Sequence, residues 1–157
     1  PKREDNFMAG LSMGGQGTWK FAVNYPEKFA GCAMMSAPTF DYPAKYAEEI
    51  EHKHSSSHTD LVDMYGGMDA FMKTRENARG VVKKLVSEGK ADTLPLLYAS
   101  SGSDDGHLDE FRETIEFFNS LGIHVEYRET PGYGHEWRFW DISIQDALKF
   151  FGFKTRN

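Results

Sequence analysis

Gly10-Leu11-Ser12-Met13-Gly14 decides how this chain reads. The five residues fit G-x-S-x-G, the pattern of a nucleophile elbow, in which a serine sits on a sharp turn between a strand and a helix. The flanks suit that context. Asn6-Phe7-Met8-Ala9 is a short, largely apolar run that predicts a buried strand. After the motif, Gly15-Gln16-Gly17 opens a stretch in which Trp19, Ala22 and Val23 fall at i, i+3 and i+4, predicting a helix over about 15–24 that stops near Pro26. The turn forces the serine into a strained backbone, so its flanking positions must be nearly free of side chains. A helix N-terminus at this point aims backbone N–H groups at a reacting carbonyl.

Outward from the elbow, strands and helices alternate. Residues 31–36 predict a second strand, and like the first it is a continuous apolar run, as suits parallel strands buried on both faces. The stretch at about 38–67 differs. It holds Pro38 and Pro43, a polar tract and Gly66-Gly67, and predicts an insertion or lid, partly helical and mobile. Ala78, Val82, Leu85 and Val86 give helical spacing within a helix expected over 69–88. Leu94-Pro95-Leu96-Leu97-Tyr98-Ala99 predicts the third strand, and Phe111, Ile115 and Phe118 mark a helix that ends at Gly122. Ile123, Val125 and Tyr127 alternate with His124, Glu126 and Arg128, which predicts a strand with one wet face near a sheet edge. Trp140, Ile144, Ala147, Leu148 and Phe151 form the stripe of a last helix. The expected architecture is α/β with a mostly parallel sheet and flanking helices.

Composition excludes several classes. At 157 residues the chain can bury one sizeable core. With 39% apolar and 27% charged residues it is globular rather than disordered. A net charge of −6 argues against a nucleic-acid partner. Its one cysteine, Cys32, rules out an internal disulfide framework and lies in an apolar run where inert packing is expected. No stretch is long and apolar enough to predict a membrane span. No signal peptide is visible within these residues, which favours the cytoplasm, with secretion open to an upstream leader. His52, His54 and His58 have a spacing that suits a metal, but Ser55-Ser56-Ser57 and nearby lysines read as a solvated loop. No metal and no cofactor are expected.

A serine hydroxyl is a weak nucleophile at neutral pH and needs a base, itself oriented by a carboxylate. In open α/β sheets these partners belong in loops at the carboxyl ends of later strands, in the order serine, acid, histidine. The loop after 94–99 offers Asp104 and Asp105, of which Asp105 is preferred. The loop after 123–129 offers His135 as base, since His107 starts a helix and His124 lies on the wet face of a strand. Met13 follows the nucleophile, so its backbone N–H is the expected oxyanion donor.

These residues resemble a known family. Gly10-Leu11-Ser12-Met13-Gly14-Gly15 is similar to the elbow of the esterase D-like branch of α/β-hydrolases, which includes tributyrin, feruloyl and acetyl xylan esterases and S-formylglutathione hydrolase. Tyr98-Ala99-Ser100-Ser101-Gly102-Ser103-Asp104-Asp105 resembles that branch's strand and Gly-x-x-Asp loop, which implies Asp105 as the acid. Pro131-Gly132-Tyr133-Gly134-His135-Glu136-Trp137-Arg138-Phe139-Trp140 resembles its Gly-x-His-x-Trp-x-x-Trp ending, which implies His135 as the base. The resemblance covers nearly the whole chain and is weakest between Pro38 and Gly80. It departs at Gly106-His107, where relatives carry apolar residues.

The resemblance implies a serine esterase acting through an acyl-enzyme on short-acyl or aryl esters, including small-molecule or carbohydrate substrates such as those of plant polysaccharide. Trp137 would wall the substrate cleft, and so would Trp140, whose expected role is packing. Two alternatives are an acyltransferase with the same triad and a non-catalytic hydrolase-like binding domain. Relatives have a full N-terminal half before the elbow, including a second oxyanion donor, whereas nine residues precede Gly10 here. Residues 1–157 are therefore expected to form the C-terminal part of one α/β-hydrolase domain. The elbow strand would then be an edge, to be completed by the missing half or by another chain.

Overall fold

The computed structural model describes residues 2–52 and 56–154. Four strands form one sheet in the order β1-β2-β3-β4: β1 (Phe7–Leu11), β2 (Gly31–Met35), β3 (Leu96–Gly102) and β4 (Glu126–Thr130). All three pairings are parallel, with Leu11 beside Met35 and Met35 beside Ser100. Parallel neighbours need crossovers, and helices supply them. The carboxyl ends of all four strands therefore meet along one crest of the sheet.

The side-chain period of two divides each strand between two layers. Met8, Cys32, Met34, Leu97 and Ala99 face α1 (Met13–Asn24) and two helices from later in the chain. Those helices span Ala78–Ser87 and Leu108–Ser120. Trp19 stacks on Phe118 at 4.7 Å in the centre of this layer. Ala33, Met35 and Tyr98 face the opposite way, onto the last helix (Trp137–Phe150) through Ala147, Phe139 and Trp140. Every residue of β2 is buried, as its unbroken apolar run predicts. The result is a three-layer α/β arrangement: a parallel sheet between helices.

Between β2 and the α1 layer's later helices lie α2 (Tyr42–Glu51), α3 (Ser57–Met64) and α4 (Met68–Phe71). They gather around Tyr42, Val62 and Phe71, an apolar cluster separate from those on the sheet. His54 of the histidine-spaced stretch lies outside the described residues. We label the following helix α5 (Ala78–Ser87), then α6 (Leu108–Ser120) and α7 (Trp137–Phe150).

The structure corrects one element. The single helix expected over 69–88 is two, α4 and α5, broken at 72–77. Thr74 Oγ1 donates to Phe71 O at 2.7 Å and ends the first. Asn77 Oδ1 accepts from Gly80 N at 3.0 Å and caps the second. Residues 73–77 carry no apolar side chain, and only the seven-residue spacing of Phe71 and Ala78 keeps the helical phase across the break. The third strand also runs further than expected, through Ser100, Ser101 and Gly102. No helix among the described residues is long and apolar enough to cross a membrane.

Candidate active site

Ser12 stands between β1 and α1 with φ +51° and ψ −126°. This is the strained conformation that an elbow imposes, and it is held by Ser12 N donating to Met35 O at 2.9 Å and Gln16 N donating to Ser12 O at 3.1 Å. The glycines around it are not equivalent. A Cβ on Gly10 would lie 2.3 Å from Gly14 O, and one on Gly15 would lie 2.5 Å from the Ala37 Cβ. A Cβ on Gly14 would meet nothing within 4 Å. Space therefore dictates glycine at the first motif position and at the residue after the motif, and not at Gly14.

Met13 opens α1, so its N–H has no acceptor four residues back within the helix. Its side chain is exposed. The N–H is thus available beside the Ser12 hydroxyl, at the positive end of the helix dipole.

Two loops bring the other groups. A Cβ on Gly102 would sit 2.0 Å from Tyr133 O, so the loops after β3 and β4 pack together only because Gly102 has none. Asp104 N donates to Tyr133 O, and Gly132 N to the Ser103 hydroxyl, both at 2.9 Å. This cross-tie sets the two loops in register. His135 Nε2 lies 2.9 Å from Ser12 Oγ, and His135 Nδ1 lies 3.1 Å from Asp105 Oδ2. Asp104 points elsewhere: it is exposed, and its Oδ1 accepts from the Ser103 hydroxyl at 2.8 Å.

The Asp105 side chain is wholly buried, while that of His135 is 36% exposed. Burial pushes the Asp105 carboxyl up. Hydrogen bonds from His107 N–H, the Ser36 hydroxyl and His135, with the His135 charge, outweigh it and hold the group below the ordinary carboxylate range. Asp105 is therefore an anion at neutral pH, beside the His135 ring. The Gly106-His107 departure forms part of this loop. His107 N donates to Asp105 Oδ1 at 3.0 Å, and the His107 ring stands 6.3 Å from that of His135.

Trp140 is buried edge-on to His135, with ring centroids 5.0 Å apart. Trp137 is 73% exposed and stands edge-on to Trp140 at 5.1 Å. With Ala9, Leu11, Met35 and Ile144 it lines a groove between β1 and α7. Ser36, at the end of β2, is a site neighbour that the motifs did not mark. A serine after a buried strand carries no pattern of its own. Cys32 is buried under the sheet, and burial pushes its thiol up to about 12, as suits an inert packing role.

Fold and site together define an α/β-hydrolase arrangement with a serine, histidine and aspartate in contact. No protein-family model matches the sequence. An acetyl esterase of Caldicellulosiruptor saccharolyticus is 28% identical over 149 residues, which are 95% of this chain and 55% of that protein. The fluorophosphonate-binding serine hydrolase F of Staphylococcus aureus, solved with substrate bound, superposes with a TM-score of 0.73 at 26% identity, covering 96% of this chain and 55% of its own. The S-formylglutathione hydrolase of Staphylococcus aureus gives a TM-score of 0.69 at 25% identity, covering 96% and 52%. The chain is thus similar to the esterases that its three motifs resemble, and it spans about half the length of the proteins it matches.

Proposed function

We propose that these residues carry the catalytic triad of a serine carboxylic-ester hydrolase, with Ser12 as nucleophile, His135 as general base and Asp105 as its orienting acid. The observation that carries the reading is the unbroken path from Ser12 Oγ through His135 to Asp105, with steps of 2.9 and 3.1 Å. Ser12 Oγ attacks the ester carbonyl carbon while its proton passes to His135 Nε2. Asp105 accepts from Nδ1–H, which fixes the tautomer and stabilises the imidazolium. The Met13 N–H donates to the oxyanion. Collapse expels the alcohol, which leaves with the proton from His135. Water then loses a proton to His135 and attacks the acyl carbon; collapse releases the carboxylic acid as His135 returns the proton to Ser12 Oγ.

Short-acyl esters are the substrate class we favour, and the similarity to an acetyl esterase supports it. In this reading residues 1–157 are the C-terminal part of one domain, with about 38–67 as an insertion. The separate apolar cluster of α2 to α4 supports that division. Further chain, from the same protein or another, completes the sheet beside β1 and supplies a second oxyanion donor. The exposed groove along β1 supports this, with Trp137 as its wall.

Hydrolysis of p-nitrophenyl acetate and labelling by a fluorophosphonate test the reading in the full-length protein. Ser12→Ala should lower kcat by about 10⁴-fold or more with the fold intact, and should abolish labelling. Persistent activity, or label on another residue, would show the assignment to be wrong. The 157-residue chain alone should associate or be inactive. A monomeric and fully active product would refute the need for a second segment.

A further inference from the structure

One buried hydroxyl beside the site has no part in the reaction steps above. Ser36 directly follows β2, is 2% exposed and has φ +49°. Among the described residues only Ser12 shares a positive φ without being glycine. Such a conformation is disfavoured for any residue that has a Cβ, and it persists only where the surroundings enforce it. Here Ser36 N donates to Ser100 O at 2.8 Å, which locks the turn to β3.

The strain directs the side chain. A left-handed turn swings the Cα–Cβ bond away from the alternation of the strand. The Ser36 hydroxyl accepts from Trp140 Nε1 at 3.0 Å. Its own proton is then free to donate, and the hydroxyl lies beside the Asp105 carboxylate and favours its charged form. Trp140 in turn stands edge-on to the His135 ring, with 88° between the planes. The hydroxyl thus bonds the aromatic wall of His135 and stands beside its carboxylate partner.

We propose that Ser36 is a positioning residue, a single hydroxyl that fixes the Asp105 carboxylate and the Trp140 indole together and so sets the plane in which His135 meets Ser12. This rests on the reading of Ser12, His135 and Asp105 as a triad. The physical reason is the freedom of a carboxylate about its last bond. Asp105 Oδ1 accepts from His107 N and Oδ2 from His135 Nδ1. Both of those donors belong to the segments that follow β3 and β4. Ser36 belongs to the end of a fully buried strand, so it references the carboxylate to the sheet itself.

The test uses Ser36→Gly and Ser36→Ala in the full-length protein, beside Ser12→Ala. Glycine adopts φ +49° without strain, and alanine keeps the Cβ, so the pair removes the hydroxyl in two backbone contexts. Both should lower kcat by about tenfold to a hundredfold, the loss expected for one hydrogen bond to a charged group, with KM within about twofold. Labelling of Ser12 by the fluorophosphonate should slow by the same factor. The downfield proton of His135 Nδ1–H should shift in the NMR spectrum, a change that a serine serving only the stability of the turn would not produce. If Ser12→Ala keeps activity, the triad reading fails. If Ser12→Ala is inactive while the folded Ser36 variants keep wild-type kcat and an unmoved His135 proton, the role of Ser36 alone is refuted. Should neither Ser36 variant fold, Trp140→Phe decides. It removes the indole donor and keeps a ring against His135. A shifted His135 proton with lower kcat and steady KM supports the proposal, and an unchanged proton and kcat overturn it.

Discussion

The two edges of the sheet are built on different terms. β4 reads Glu126-Tyr127-Arg128-Glu129-Thr130, and its charges are tied down: Arg112 holds both carboxylate oxygens of Glu129 at 2.9 Å, and Arg128 Nε reaches Glu126 at 3.3 Å. β1 reads Phe7-Met8-Ala9-Gly10-Leu11 and carries no charge. One side of it is an apolar groove with an exposed tryptophan. An edge that faces water is protected by charge, irregularity or cover. β4 has that protection, whereas β1 has the composition of a strand with neighbours on both sides. Ser12 stands at the end of the unprotected edge and His135 follows the protected one. The two ends of the proposed triad thus come from opposite sides of the sheet, and Asp105, on the loop after the interior strand β3, joins them.

Breaking that join should have the largest effect. Asp105→Asn should lower kcat by about 10⁴-fold through loss of the correct His135 tautomer, and Asp104→Asn should leave it nearly unchanged. Comparable losses from the two substitutions would mean that the carboxylates share the role. The same residue has a pH signature. Its folded carboxyl is held below the ordinary range, so the stability it contributes is complete above an unfolded value of about 3.9 and is lost as pH falls through the folded one. Unfolding followed between pH 5 and 2 should therefore be less steep in pH for Asp105→Asn.

The next effect concerns the end of β1. Gly10→Ala drives a Cβ into the backbone of Gly14 and should cost about 2 kcal/mol or more in denaturant unfolding. Gly14→Ala has open space and should be neutral or gain up to about 1 kcal/mol of helix propensity. The reverse order would mean that the elbow is not packed as described. A smaller change tests the edge itself. Ala9 is exposed in the groove beside β1, and Ala9→Lys should weaken self-association of the 157-residue chain about tenfold in sedimentation experiments. A parent chain that stays monomeric at high concentration would place β1 on the same footing as β4. The smallest effect is expected at β4, where Arg112→Ala breaks a solvent-exposed pair and should hardly move the melting temperature.

Much of this was legible because it is local. The elbow is five contiguous residues, and its turn depends on small neighbours that a sequence displays directly. The alternation of 123–127 announced an edge, although the strand itself begins only at Glu126, and the unbroken apolar run of 31–35 announced a strand covered on both faces. The helix expected over 69–88 was misread because the apolar spacing that predicted it lies in 78–86, whereas the break depends on the Thr74 hydroxyl and the Asn77 cap in the polar run before it.

By itself the sequence determined an α/β order of elements, the elbow with Ser12, and the loops that hold the proposed acid and base. Those features follow from backbone sterics and hydrophobic period, which act over a few residues. Only the tertiary structure decided that Asp105 rather than Asp104 turns to His135, because a cross-tie between two loops sets that choice. Only it placed Ser36, whose partners lie 69 and 104 residues further along the chain, under the carboxylate and the indole. Contacts of that range depend on how strands are ordered and how closely loops approach, and no local pattern of residues encodes either.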